Sequence, residues 1–225
     1  MAELTVMQSL AFKEAYLTLA PRYERATGHR ISTLWVPTAK VVATVERGEA
    51  ADLVIIAAAV VDELIAKGLA RERIDLATCG VAVAVKAGAP RPDLSSAESL
   101  KRAVLGAKSI VYSRGPSGVY LDGLFRRMGI SGELEHKLTR VQGEPSGEVV
   151  ARGFAEIGFQ QMSELLPVAG IDVVGPLPAE IQEITTFAAT VLAKAREPQA
   201  AREVIDYLGT EDAKAVIRAT GMEPV

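Results

Sequence analysis

Short apolar runs alternate along the chain with stretches in which apolar residues recur every three or four positions, the pattern of strands followed by amphipathic helices. Leu4–Met7 reads as a strand, and the helix after it carries Phe12, Ala15, Leu19, Tyr23 and Ala26 on one face, with Gly28 as its stop. Ile31–Val36 is a second strand, Val41–Arg47 a short helix ending at Gly48, and Asp52–Ile56 a third strand. The longest apolar run, Leu53–Val61, lies between Asp52 and Asp62 and reads as a buried parallel strand feeding the helix Val60–Lys67. A second block opens with the alternating "GVAVAVK" of Gly80–Lys86. Helices are predicted at Ser96–Val104, Val119–Met128 and Glu148–Arg152, and strands at Ser109–Tyr112, Thr139–Gln142 and Glu156–Phe159. Thr185–Leu192 is another long β-type run, followed by a helix opened by Pro198 and one capped by Thr210.

This order, with long strands separating blocks of βα units, predicts an α/β fold. If the runs near 79–86 and 185–192 are crossings, the chain forms two α/β lobes joined by a two-strand hinge, with a ligand cleft between them. Lobe one is then 1–78 plus 190–225, and lobe two is 79–189. A single doubly wound sheet is the simpler alternative.

Composition narrows the chemistry. A formal charge of -3 lacks the basic excess of a nucleic-acid binder, and 5% aromatic residues leave little for base stacking. One cysteine, Cys79, excludes an internal disulfide, and the separated His29 and His136 do not make a metal site. Both histidines read as surface residues, and Cys79 as a small buried hydrophobe. No cofactor or metal is expected: GxGxxG, P-loop, GxSxG and HExxH motifs are absent. No segment reaches ~18 uninterrupted apolar residues, so no membrane insertion is expected. "MAELTVMQSL" shows no signal peptide. The expectation is a leader already removed, with a cytoplasmic location as the alternative.

Four strand-to-helix junctions carry hydroxyl or glycine residues: Ser9 in "MQSLAF", Thr38 in "VPTAKV", Ser117 and Gly118 in "SRGPSGVY", Ser146 and Gly147 in "GEPSGEVV". Each puts a hydroxyl and backbone N–H groups at a helix start, where negative charge is favoured. Plain N-capping explains any one of them; four together point to an anion. Lys40 and Arg114 stand beside these junctions, and a guanidinium clasps a carboxylate with two parallel hydrogen bonds. The amide of Gln160, at the end of "GFQQ", is placed to line the same cleft. Glu144 and Glu148 read as solvated.

The segments "ELTVMQSLAFKEAYLTLAPRYERATGHRI", "VAVAVKAGAPRPDLSSAESLKRAVLGAKSIVYSRGPSGVYL", "GEVVARGFAEIGFQQMSELLPVAGIDVVGPLP" and "AKAVIRATGMEP" resemble type 2 periplasmic solute-binding proteins, in the molybdate-binding-like branch. The resemblance spans nearly the whole chain. It implies the two-lobe fold, a periplasmic location, a monomer, a small anionic ligand, and delivery to the membrane permease of an ABC transporter. It places ligand contacts at Ser9, Thr38, Ser117, Ser146 and Gly147. Threonine stands at 38 where molybdate binders usually have serine, and Gln160 where they present a tyrosine. With Arg114, that departure favours an organic polycarboxylate over molybdate. Relatives of this branch include an aconitate isomerase, so a cofactor-free isomerase of a small polycarboxylate is the alternative function. The effector domain of a transcription regulator, a third class, would need a helix-turn-helix ahead of the first strand.

Overall fold

In a computed structural model that describes residues 1–225, helices and strands alternate as the periodicity requires. In chain order they are β1 (Glu3–Gln8), α1 (Lys13–Thr27), β2 (Arg30–Trp35), α2 (Val41–Glu46), β3 (Leu53–Ala57), α3 (Ala58–Ala66) and β4 (Ile74–Lys86). Then come α4 (Ala97–Gly106), β5 (Ile110–Ser113), α5 (Pro116–Arg127), α6 (Ser131–Leu134), β6 (Leu138–Val141), α7 (Ser146–Ala151), β7 (Ile157–Gln161), α8 (Met162–Leu165) and β8 (Ile171–Pro176). The chain finishes with β9 (Ile184–Val191), α9 (Pro198–Leu208), α10 (Glu211–Ala219) and β10 (Glu223–Pro224). It divides into two compact units, Met1–Cys79 with Thr185–Val225, and Gly80–Ile184. No helix is long and apolar enough to cross a membrane.

In the first unit β1 pairs in parallel with β2 on one side and β3 on the other, and β3 pairs antiparallel with β9. One face of this sheet buries Met7, Val54 and Ile56 together with Val41 of α2 and Val61 and Leu64 of α3. Burial of such a side chain contributes about 1.5–3 kcal/mol. Asp52, only 1% exposed, ties the sheet to α9: its carboxylate accepts from the Thr5 amide at 2.9 Å, the Arg196 amide at 2.7 Å and the Glu197 amide at 3.0 Å. Gly28 ends α1 with φ of 74°, a left-handed cap that glycine adopts without strain. Ala26, expected on the buried face of α1, is exposed. His29, expected at the surface, is half-buried there: its ring stacks on Tyr23, Nδ1 accepts from the Ala2 amide at 2.9 Å, and Nε2 lies 3.4 Å from Glu203.

In the second unit β5 lies parallel to β6 and β7, and β4 pairs antiparallel with β7 and β8. Tyr112, Leu121, Leu124, Phe125 and Phe159 fill its core, with Phe125 edge-on to Phe159 at 6.1 Å. Two differences from the sequence reading have simple causes. β4 begins at Ile74, six residues before "GVAVAVK", because β10 supplies an antiparallel partner to Ala77 and Thr78. The one-turn helices α6 and α8 are too short for periodicity to register, and in β8 the residues Asp172, Gly175 and Pro176 break the apolar run that would mark a strand.

Candidate functional site

The nominated residues stand at carboxyl ends of parallel strands, where open α/β sheets present loops to ligands. In the first unit, the register sets Gln8 opposite Trp35, and the Gln8 carbonyl accepts the Val36 amide at 2.9 Å. The loops after β1 and β2, carrying Ser9 and Thr38, are thereby neighbours. Ser9 is 6% exposed with an extended backbone (φ -90°, ψ 172°), and its hydroxyl makes no capping bond to the turn Leu10–Phe12. Thr38 begins a second short turn, Thr38–Lys40, and is half-buried.

In the second unit the same logic acts on β5 and β6. The Arg114 amide donates to the Val141 carbonyl at 3.0 Å, fixing the loop after β5 against the end of β6. The Arg114 side chain is exposed. α5 starts two residues on, with Pro116 at its first position and no side-chain cap. Its first-turn amides, including those of Ser117 and Gly118, have no acceptor within the helix. Ser117 is 1% exposed, and its Oγ has no hydrogen-bond partner. Gly118 is required by space: a Cβ there would lie 1.7 Å from the carbonyl oxygen of Ser113. An ion pair anchors the helix to β6, with Arg140 Nη2 2.8 Å from Asp122 and Tyr112 Oη donating to the same carboxylate.

Ser146 and Gln160 are bonded to each other. The Ser146 amide and hydroxyl donate to Gln160 Oε1 at 2.6 and 2.8 Å, the hydroxyl also reaches the Phe159 carbonyl at 2.9 Å, and Gln160 Nε2 donates to Glu164 at 2.7 Å. Gly147 sits where a Cβ would press on Leu165, Val168 and Ile171 at 3.1–3.3 Å. Burial pushes the Glu164 carboxyl up to about 7, against hydrogen bonds from Gln160 and the Gln161 amide that act downward. Glu144, read as solvated, pairs with Arg152 at 2.6 Å.

Sequence reasoning passed over two groups. Glu164 carries no local signal, since its shift comes from the fold around it. Gln8 looks like any polar strand residue, yet it is fully buried and neither of its amide atoms has a partner. Only three residues hold buried side-chain polar atoms without a partner: Gln8, Tyr23 and Ser117. Tyr23 belongs to the aromatic cluster with His29 and Tyr207; the other two stand at the nominated junctions. Elsewhere in the second unit, a cavity of about 730 Å³ is lined by Lys86, Arg91, Arg102, Ala103, Glu156 and Ile157, and no nominated residue borders it.

The profile of a family described as bacterial extracellular solute-binding protein matches residues 4–223. An aconitate isomerase from a Pseudomonas species is 38% identical over 230 residues, covering 99% of this chain and 88% of that protein. The periplasmic molybdate-binding protein of Azotobacter vinelandii superposes with a TM-score of 0.82 at 20% identity, covering 97% of this chain and 98% of the other. A tungstate-binding protein from Desulfovibrio alaskensis gives 0.72 at 14% identity over 100% and 99% of the two chains. These solved structures share the periplasmic-binding-protein fold with this chain.

Proposed function

Since the chain belongs to the bacterial extracellular solute-binding proteins, we propose that it captures a small organic polycarboxylate, as the substrate-binding component of an ABC-type transporter acting outside the cytoplasm with a membrane permease as partner. The observation that carries the reading is the coincidence of orphaned polar groups with the nominated junctions: Ser117 Oγ and the Gln8 amide are buried without partners beside loops rich in hydroxyls and helix-start amides. In this reading Ser9 and Thr38 offer hydroxyls, Ser117 and Gly118 offer the α5 amides, and Arg114 clasps one carboxylate. Ser146 and Gln160, bonded to each other, back the site together with Gly147. β4 and β9, which run through both unit boundaries, serve as hinge strands.

A carboxylate ligand is preferred to a molybdate-type oxyanion on two grounds. The guanidinium of Arg114 gives bidentate geometry that a tetrahedral oxyanion does not need. The relative matched along the whole chain is an aconitate isomerase, whereas the metal-oxyanion binders share only the fold. A thermal-shift series tests this. A tricarboxylate at about 100 times its dissociation constant stabilises by roughly 2.7 kcal/mol, which for a chain of this size is on the order of 5–11 °C. Arg114→Ala is expected to remove most of that shift and Arg114→Lys to restore little. Stabilisation by molybdate alone, unaffected at Arg114, would overturn the carboxylate reading.

The second reading, a cofactor-free isomerase, is favoured by the same 38% relative and by Glu164. Moving a double bond along an aconitate-type skeleton needs a base that takes a methylene proton and returns it at the far end of the allylic system. A carboxyl titrating near neutrality suits that exchange. Turnover followed by absorbance at high protein concentration separates the readings. Isomerase action predicts conversion of cis- to trans-aconitate that rises with pH through about 7 and disappears in Glu164→Gln. Binding without turnover leaves the transport reading alone.

A further inference from the structure

We propose that the Gln8 side chain is a ligand-contacting, specificity-determining group, its amide nitrogen donating to a carboxylate of the bound anion. The proposal rests on the polycarboxylate reading above and deepens it. Gln8 is the last residue of β1, one peptide bond from Ser9, with Trp35 and Ile55 in register beside it. Strand alternation puts it on the face shared by Leu4 and Val6, both fully buried. It is fully enclosed itself, and neither Nε2 nor Oε1 finds a partner within the chain.

A primary amide held in such a place is costly, because its lost hydration is not repaid by any protein hydrogen bond. A leucine or methionine of similar volume would fill the space without that cost. A polar group that opposes stability, set beside hydroxyl-bearing loops at the carboxyl ends of β1 and β2, is what a recognition site requires. Its hydrogen bonds are completed by what it recognises, and a ligand lacking the matching group is rejected because the amide stays unpaired. Nε2 supplies a neutral donor suited to one oxygen of a carboxylate.

The test compares wild type with Gln8→Leu and Gln8→Met, measuring the melting temperature without ligand and the affinity for citrate, cis- and trans-aconitate, malate, molybdate and sulfate by calorimetry. The expected result is a raised melting temperature in at least one variant, together with an affinity for the wild type's best anion weakened at least tenfold, about 1.4 kcal/mol. Ser9→Ala, measured alongside, reports the neighbouring hydroxyl independently. Variants that fold and bind the best anion as tightly as wild type overturn the proposal, whatever that anion is. A wild type that prefers molybdate, with both Gln8 variants impaired toward it, sinks the polycarboxylate reading and leaves the contact role of Gln8 standing. A wild type that binds none of the six anions overturns both.

Discussion

Glu164 shows how one side chain can be tuned by surroundings that its local sequence does not disclose. Its pKa stands near 7 instead of the ordinary 4.5 because burial penalises the carboxylate more than the bonds from Gln160 and the Gln161 amide favour it. A carboxyl raised in the folded state contributes stability that is fully present below its unfolded pKa and is lost as pH climbs through the folded value. Wild type should therefore lose stability between about pH 4.5 and pH 7 relative to Glu164→Gln, the variant being the more stable above pH 7 and no more stable near pH 4.5. Melting curves of the two proteins across pH 4–9 check this, and parallel profiles would rule it out. At this scale the sequence disclosed positions better than roles. Ser9, Thr38, Ser117 and Ser146 were recognisable because hydroxyls at strand–helix junctions have a meaning in themselves. That the Ser146 hydroxyl is spent on Phe159 and Gln160 while the Ser117 hydroxyl has no partner depends on neighbours far along the chain.

Among the elements, α5 is the one whose placement matters most to the site. It presses so closely on the end of β5 that residue 118 has no room for a side chain. In Gly118→Ala the new methyl group would meet backbone atoms of Ser113, at 1.7 and 2.9 Å, which cannot swing aside. The helix start must move, at a cost of about 1–3 kcal/mol and a matching loss of anion binding. Gly123→Ala in the same helix is the control: the nearest atom is the mobile end of Arg127 at 3.3 Å, and the helix gains by losing a glycine. Differential melting of the two variants, with binding measured on each, distinguishes a packing requirement from a general weakness of α5. Equal behaviour of the two would contradict it. Elements long enough to repeat their period, such as α1, α9 and β3, were legible from spacing alone. β8 and β10 were not: Asp172, Gly175 and Pro176 interrupt the apolar run of β8, and the two-residue β10 acquires its identity from the β4 residues it pairs with.

For the whole molecule, the alternation of strands and helices sufficed to identify the α/β class, and the resemblance of long segments named the solute-binding family that the profile match shows, with the fold that the superpositions share. The ligand lay beyond that reading, since helix-start amides and hydroxyls accept many anions alike. In the proposed reading, the arginine after β5 and the enclosed amide at the end of β1 narrow the choice to carboxylates. Titration calorimetry of the purified chain with a tricarboxylate and, separately, with molybdate tests that narrowing most directly. The account predicts saturable binding of one tricarboxylate per chain, weakened by Ser9→Ala in the first unit and by Arg114→Ala in the second, with molybdate giving little or no heat. Tight molybdate binding that is indifferent to Arg114, with no response to the tricarboxylate, would contradict it.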